Sequence, residues 1–419
     1  MTGAAATWLY RAGAIRDAAA IEARPGTVAV RNGQIVWAGP TGELRPSRFE
    51  RPRIVDLPQM LLLPAMVNAH AHLDLTAIGP MPYGGDFLAW LRHVMDRRPA
   101  GDTQICDAVR RGAAMSVAAG VGTVGDIANS TGAVEARLAT GLAGVSYLEC
   151  FGLGPRQDGA AARLEADLLA LGERMGSDGP VRLGIQPHAP YSAGPALYER
   201  ATQLGCALDV PLSTHLCETE HEHAFTKDGS GPLVDHLEAM GKWDGSLRPN
   251  GLDPVRLMAG PLRRRPWLLA HCNYVRDDQI AILAECPASV AYCPVASEYF
   301  GHRDHRYRQM LDAGVNVAIG TDSILCQGPD EAQPLGVMGQ IRRLYARDRT
   351  DPNLLLAMAT TGGMTALDLP AQSATFAAST PAQLALVRFD PLDPVDPLTQ
   401  ALQNGYPVRP SEPPEPDER

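Results

Sequence analysis

Lysine is nearly missing from this chain of 419 residues. Lys227 and Lys242 are the only two, and arginine supplies the rest of the 37 basic residues. Acidic residues outnumber them and leave a formal net charge of -10, so there is no basic stripe to hold nucleic acid or an anionic membrane. No uninterrupted apolar run approaches the length of a membrane span. The stretch Met1 to Trp8 lacks a charged region followed by an apolar core, so the expectation is a cytoplasmic protein. Eight cysteines in a chain this long do not make a disulfide framework, and none form a Cys-x-x-Cys pair. Cys150, Cys217, Cys272 and Cys293 lie in or beside apolar runs and read as buried free thiols. A Gly-rich phosphate loop after an early strand is also absent, which weighs against an open nucleotide-binding sheet.

What is present is the composition of a globular protein, 45% hydrophobic and 20% charged. From Trp8 to Leu57 short strands alternate with turns, and Arg31-Asn32-Gly33 between two apolar runs is a strong hairpin signal. This part predicts a small β-sandwich. Eight apolar, β-branched runs follow, at 60–68, 122–127, 144–151, 181–187, 210–214, 267–270, 289–293 and 315–320. Between them, 105–119, 160–175, 195–204, 231–240, 277–286 and 305–313 carry apolar residues near the helical period. Near-continuous apolar strands alternating with helices imply a parallel sheet covered on both faces, and eight of them imply a (β/α)8 TIM-like barrel. Residues 330–369 read as helical, and Gln383–Phe389 as a last strand that returns to the N-terminal sandwich. The division expected is 1–60 with 375–400 for the small domain and 61–374 for the barrel. Residues 401–419, rich in proline and acid, should form a mobile coil.

The polar ends of the strands carry the chemistry. The first candidate strand ends in His70-Ala71-His72, and residues i and i+2 of a strand share a face. The fourth runs into His188-Ala189-Pro190-Tyr191-Ser192, and the fifth into His215-Leu216-Cys217-Glu218. The sixth ends at His271 and the eighth at Gly320-Thr321-Asp322. In a barrel these ends form one mouth. His70, His72, His215 and Asp322 offer three nitrogens and one carboxylate with a position left open, the pattern of a catalytic metal site. Glu218, three residues past His215, can sit beside a metal without binding it and move a proton from water to substrate.

Together, Pro64-x-x-Val67-Asn68-Ala69-His70-Ala71-His72, His215-x-x-Glu218, His271 and Gly320-Thr321-Asp322 resemble the amidohydrolase superfamily. The likeness is to its mononuclear deaminase and chlorohydrolase branch, with cytosine, guanine, S-adenosylhomocysteine and aminofutalosine deaminases. It spans the chain from the small domain to Phe389. The resemblance implies that His70, His72, His215 and Asp322 bind zinc, or iron as the alternative. It also implies that Glu218 shuttles protons to a ring nitrogen and that His271 and Asp322 hold the attacking hydroxide. Members with two metals use a carbamylated lysine at a strand end. Neither Lys227 nor Lys242 ends a candidate strand, so one divalent metal per chain is expected. Ala65 replaces a common glycine and Cys217 a common alanine, departures that bear on fine geometry only.

The expected reaction is hydrolytic removal of an exocyclic amine from a small heteroaromatic substrate, with loss of chloride or amide cleavage as alternatives. A catalytically dead binding barrel is disfavoured, because it has no use for Glu218, His271 and Asp322 together. His188 is the foremost substrate-binding candidate, since the family uses this position near the substrate. Asp86 and Trp90, in the segment 82–95, and Glu298 and His302, after the seventh strand, are further candidates. His221 and His223 read as solvent-exposed residues on a helix, and Asp126 as a packing or hydrogen-bonding group. A homodimer is compatible with all of this, whereas nucleic acid and membrane are not expected partners.

Overall fold

A computed structural model describes residues 6–175, 179–243, 251–329 and 331–410 of the protein. Two sheets organise it. The first has six strands: β1 (Thr7–Arg16), β2 (Glu22–Ala23), β3 (Gly26–Arg31), β4 (Gln34–Pro40), β5 (Arg53–Pro64) and a late strand described below. The hairpin forms where Asn-Gly placed it: Arg31 pairs with Gln34, and Asn32 and Gly33 take the left-handed φ values 53° and 70°. Expected as a sandwich, this small domain is built on one sheet with an apolar cluster on each face. Tyr10, Val28, Val30 and Phe376 pack on one side, and Leu9, Ala29 and Phe49 on the other.

The apolar run 60–68, expected as one barrel strand, is divided at Ala65. Leu61, Leu62 and Leu63 belong to β5 in the small sheet, and the barrel starts with β6 (Met66–Ala71). Adjacent amides serve different sheets: Ala65 N donates to Gln383 O on the small-sheet side, and Met66 N donates to Gly120 O in the barrel. Uniform hydrophobicity carries no mark of such a change of partner.

The second sheet is the barrel. After β6 come β7 (Val121–Ala128), β8 (Ala143–Cys150), β9 (Val181–Pro187) and β10 (Leu212–Leu216). β11 (Trp267–His271), β12 (Ala288–Tyr292) and β13 (Asn316–Ile319) complete eight strands hydrogen-bonded in chain order. The six expected helices are found with shifted ends: Asp102–Ala118, Gln157–Met175, Pro195–Leu208, Pro232–Ala239, Asp277–Ala284 and Tyr307–Asp312. Val67, Ala69, Ile127, Val145, Tyr147 and Leu268 fill the interior of the barrel.

The seam between β13 and β6 is closed at the mouth. The amides of Thr321 and Asp322 both donate to His70 O at 3.0 Å. Asn68 braces the same joint, its Nδ2 donating to Thr321 Oγ1 at 2.8 Å and its Oδ1 accepting from Thr321 N at 3.1 Å. Two motifs some 250 residues apart are therefore one structural unit.

β14 (Leu384–Arg388) returns to the small sheet and pairs antiparallel with β5, from Leu384 opposite Pro64 to Arg388 opposite Met60. The expected coil after it is corrected in part. Pro397–Asn404 is a helix, capped by Asp396 accepting from Thr399 N at 3.0 Å, with Leu398, Ala401 and Leu402 buried. Val408 then bridges to Leu386, and residues 411–419 lie outside the described residues. All eight cysteines are free, and among the described residues no helix is long and apolar enough to cross a membrane.

Gly144 shows how tightly β8 lies on β7. Its φ is 133°, and a Cβ there would stand 2.0 Å from Val124 O. Gly144→Ala should destabilise the protein by at least ~2 kcal/mol, read as a lower urea midpoint at an unchanged slope.

Candidate metal centre and its pocket

Three strand ends turn sharply into the barrel mouth. Cys217, His271, Cys272 and Asp322 have φ values of 51°, 72°, 54° and 59°, a conformation that costs a non-glycine residue about 1–3 kcal/mol. The turns aim neighbouring side chains inward, where they meet those of β6. Asp322 Oδ1 lies 3.7 Å from His70 Nε2 and 3.5 Å from His72 Nε2, and His215 Nε2 is 3.3 Å from His72 Nε2. The ring of His271 stands 5.3 Å from that of His70.

Second contacts fix the tautomer. His215 Nδ1 lies 2.9 Å from His188 O, an acceptor only, so Nδ1 carries the hydrogen and Nε2 presents its lone pair inward. On the far side of His271, His305 Nε2 donates to the His271 carbonyl at 2.8 Å. Burial, reinforced by neighbouring imidazoles, holds His70, His72 and His271 well below the usual histidine range, and burial takes His215 down to about 4. These rings are neutral at physiological pH, so their approach to Asp322 is not an ion pair.

Among the described residues, neither ring nitrogen of His70 or of His271, nor Nδ1 of His72, has a hydrogen-bond partner. Buried polar atoms without partners are costly. A divalent cation would take one nitrogen of each ligand ring: the ligand atoms of His70, His72 and His215 lie within 4.8 Å of one another, as do those of His70, His271 and Asp322. Neutral imidazoles with one carboxylate fit zinc or iron(II).

Glu218 stands beside this group with its Oε1 3.7 Å from His271 Nε2. Burial first, then the charge of Asp322, pushes its carboxyl well above the usual carboxylate range. Asp322 is itself raised by burial. Burial and the neighbouring charge therefore both favour the protonated form of Glu218.

The centre forms the floor of a cavity of about 460 Å³ that also reaches Trp90, Phe151, His188 and Met240. His188 holds Ser192 Oγ through Nδ1 at 2.5 Å and packs its ring 4.8 Å from Phe151, which leaves Nε2 for a ligand. Three expected substrate residues stand elsewhere. Asp86 is exposed and caps the helix Phe87–Arg97, accepting from Leu88 N and Ala89 N at 2.9 and 3.0 Å. Glu298 faces Arg343 and Arg347, each at 3.7 Å, and His302 sits 3.4 Å from Asp304 with its ring against Tyr274. None of the three lines the cavity. His221 and His223 are half-buried instead of exposed, and His223 Nε2 donates to Tyr274 O. Asp126 accepts from Leu73 N at 3.0 Å, a hydrogen-bonding role as expected.

The sequence reading missed a polar cluster in the cavity wall. Arg98 reaches Asp74 at 3.1 Å and Glu149 at 3.5 Å, and burial lifts Glu149 to about 7 against the pull of Arg98. Glu149 ends a strand that the hydrophobic pattern had located, so its position was the available signal. Arg98 had none.

A model of the amidohydrolase family matches residues 61–408. The 5-methylthioadenosine/S-adenosylhomocysteine deaminase of Moorella thermoacetica is 30% identical over 376 residues, 86% of this chain and 81% of the relative. The aminodeoxyfutalosine deaminase of Deinococcus radiodurans is 30% identical over 362 residues, 81% of this chain and 80% of the relative. The crystal structure of Helicobacter pylori aminofutalosine deaminase with methylthio-coformycin superposes with a TM-score of 0.82. It is 19% identical, over 96% of this chain and 97% of that one, and so speaks for the fold.

Elemental analysis of purified protein should find about one tightly held zinc or iron per chain, and His70→Ala or His215→Ala should abolish it. Two catalytically relevant equivalents would contradict the single centre.

Proposed function

The chain belongs to the amidohydrolase family, and from that premise we propose that it is a hydrolytic deaminase of an aminated, nucleoside-like heteroaromatic ring. The observation that carries the reading is the buried carboxyl of Glu218 on the cavity floor, 3.7 Å from His271 and beside the His70–His72–His215–Asp322 group. A divalent metal held by those four residues would make water nucleophilic near neutral pH. Zinc is the proposed occupant, since the reaction needs no redox change, and iron(II) is the alternative that elemental analysis separates.

The chain's own groups then do the following. Glu218 takes a proton from the attacking water and delivers it to the ring nitrogen next to the carbon under attack. His271 and Asp322 hold the water's oxygen towards that carbon. The carbon becomes tetrahedral, the proton of the added hydroxyl passes to the exocyclic nitrogen, which leaves as ammonia, and the ring keeps the oxygen as a carbonyl. A carboxyl with raised proton affinity gives and takes protons efficiently in this pH range. His188, with Nε2 free, orients the ring. The apolar wall of Trp90, Leu91, Leu153, Leu233 and Leu237 suits a ring bearing an apolar substituent. Relatives named for 5-methylthioadenosine, S-adenosylhomocysteine and aminodeoxyfutalosine support that substrate class.

The test is ammonia release by metal-loaded protein from 5-methylthioadenosine, S-adenosylhomocysteine, adenosine, guanine, cytosine and aminopterins, with a chlorotriazine in parallel. Turnover is expected among the nucleosides. Chloride release without ammonia from any amine would overturn deamination in favour of dehalogenation. Glu218→Gln keeps the shape but cannot carry a proton, so turnover should fall by about two to four orders of magnitude with metal content unchanged. Loss of metal in that variant would make Glu218 a ligand.

A further inference from the structure

Glu218 is a mobile kind of side chain on a strained turn, yet both polar atoms of its own backbone are held by side chains from elsewhere. Glu222, in the first turn of the helix His221–Asp228, is fully buried. Its carboxylate folds back on the turn and accepts three backbone N–H groups, from Cys217 at 2.8 Å, Glu218 at 2.7 Å and Thr219 at 3.3 Å. On the opposite side, Asn273 Nδ2 donates to Glu218 O at 3.2 Å. Asn273 is itself fixed, since Ser297 Oγ donates to its Oδ1 at 2.7 Å. Asn273 and Ser297 are as buried as Glu222.

We infer that Glu222 and the Asn273–Ser297 pair form a two-sided clamp on the peptide of Glu218, and that they are positioning residues for its proton transfer. Cys217 explains the need. Its φ of 51° makes the turn that carries Glu218 from the end of β10 to the metal side of the cavity, and that backbone would relax without restraint. Hydrogen bonds from backbone amides to a carboxylate are stronger than those to a neutral acceptor, so three of them restrain the turn firmly. Burial raises the Glu222 carboxyl to about 7 while the three amides pull it down, so its contacts favour the ionised form. Neither Glu222 nor Asn273 touches the metal-ligand group or lines the cavity, so both act through Glu218. Glu222 also gives a reason for the text Glu220-His221-Glu222-His223: the two histidines flank the residue that matters.

This inference rests on the proposed role of Glu218, and the test separates the two. Glu222→Gln and Asn273→Ala are each made in the wild-type chain and in Glu218→Gln, and assayed by ammonia release from 5-methylthioadenosine. Glutamine at 222 turns an amide N–H₂ against one of the three N–H donors. In the wild-type background, kcat should fall on the order of 10–100-fold with KM within about 2-fold and metal content unchanged. In the Glu218→Gln background the further fall should be under about 2-fold, because there is no proton transfer left to misplace. Equal losses in both backgrounds, or none in either, would overturn the clamp. A readout free of turnover is amide hydrogen exchange of residues 217–219, which should quicken in Glu222→Gln while core strands keep their protection. Unchanged exchange there also overturns it. Should Glu218→Gln alone keep normal turnover, the relay fails, and the exchange measurement still decides the clamp. If Glu222→Gln does not fold, Asn273→Ala, which removes one hydrogen bond, carries the same comparison.

Discussion

The carbonyl of His70 is where this molecule is joined. It accepts the amides of Thr321 and Asp322, and so closes the barrel between its last strand and its first. The same three residues bring His70 and Asp322 to within 3.7 Å of each other. Closure of the fold and assembly of the candidate metal centre are coupled, because His70 and Asp322 stand on either side of the seam. The cross-brace between Asn68 and Thr321 tightens that joint without touching a ligand atom. A change at the seam must therefore disturb stability and chemistry together.

Around the joint, dryness decides the protonation states. Buried imidazoles lose their protons and present lone pairs, while buried carboxyls gain protons or seek donors. The carbonyl of His188 leaves the lone pair of His215 on Nε2, and burial with the charge of Asp322 raises the proton affinity of Glu218. The same low dielectric holds a second set of groups beside the centre, where Arg98 bonds Asp74 and Glu149 and a Glu149 oxygen lies within 4.8 Å of ring nitrogens of His188 and His215. Family membership fixes the class of chemistry, and the parts proposed for single residues rest on these local contacts.

Legibility in the sequence followed the physics of each element. The eight strands and six of the helices were visible because burial on both faces writes near-continuous apolar runs and a 3.6-residue rhythm. The candidate ligands could be grouped because strand ends converge in a barrel, so residues distant in sequence could be placed together. The change of sheet at Ala65 was hidden, since an apolar run looks the same whichever sheet it joins. The helix Pro397–Asn404 was hidden behind its prolines, although Asp396-Pro397 is a cap followed by a favoured first residue. Asp86 looked like a pocket residue and is a helix cap. Glu298 looked available and is engaged by two arginines. Tertiary partners decided each of these, and no local pattern names a partner.

The central claim is that three imidazoles and one carboxylate hold a single metal, with Glu218 and the thiol of Cys326, 3.6 Å from Asp322 Oδ2, left unbound. X-ray absorption at the metal edge tests it most directly. The account predicts a first shell of nitrogen and oxygen at about 2.0–2.2 Å with a clear imidazole signature and no second metal. A sulfur shell at about 2.3 Å, or a metal–metal distance of about 3.5–4 Å, would contradict it.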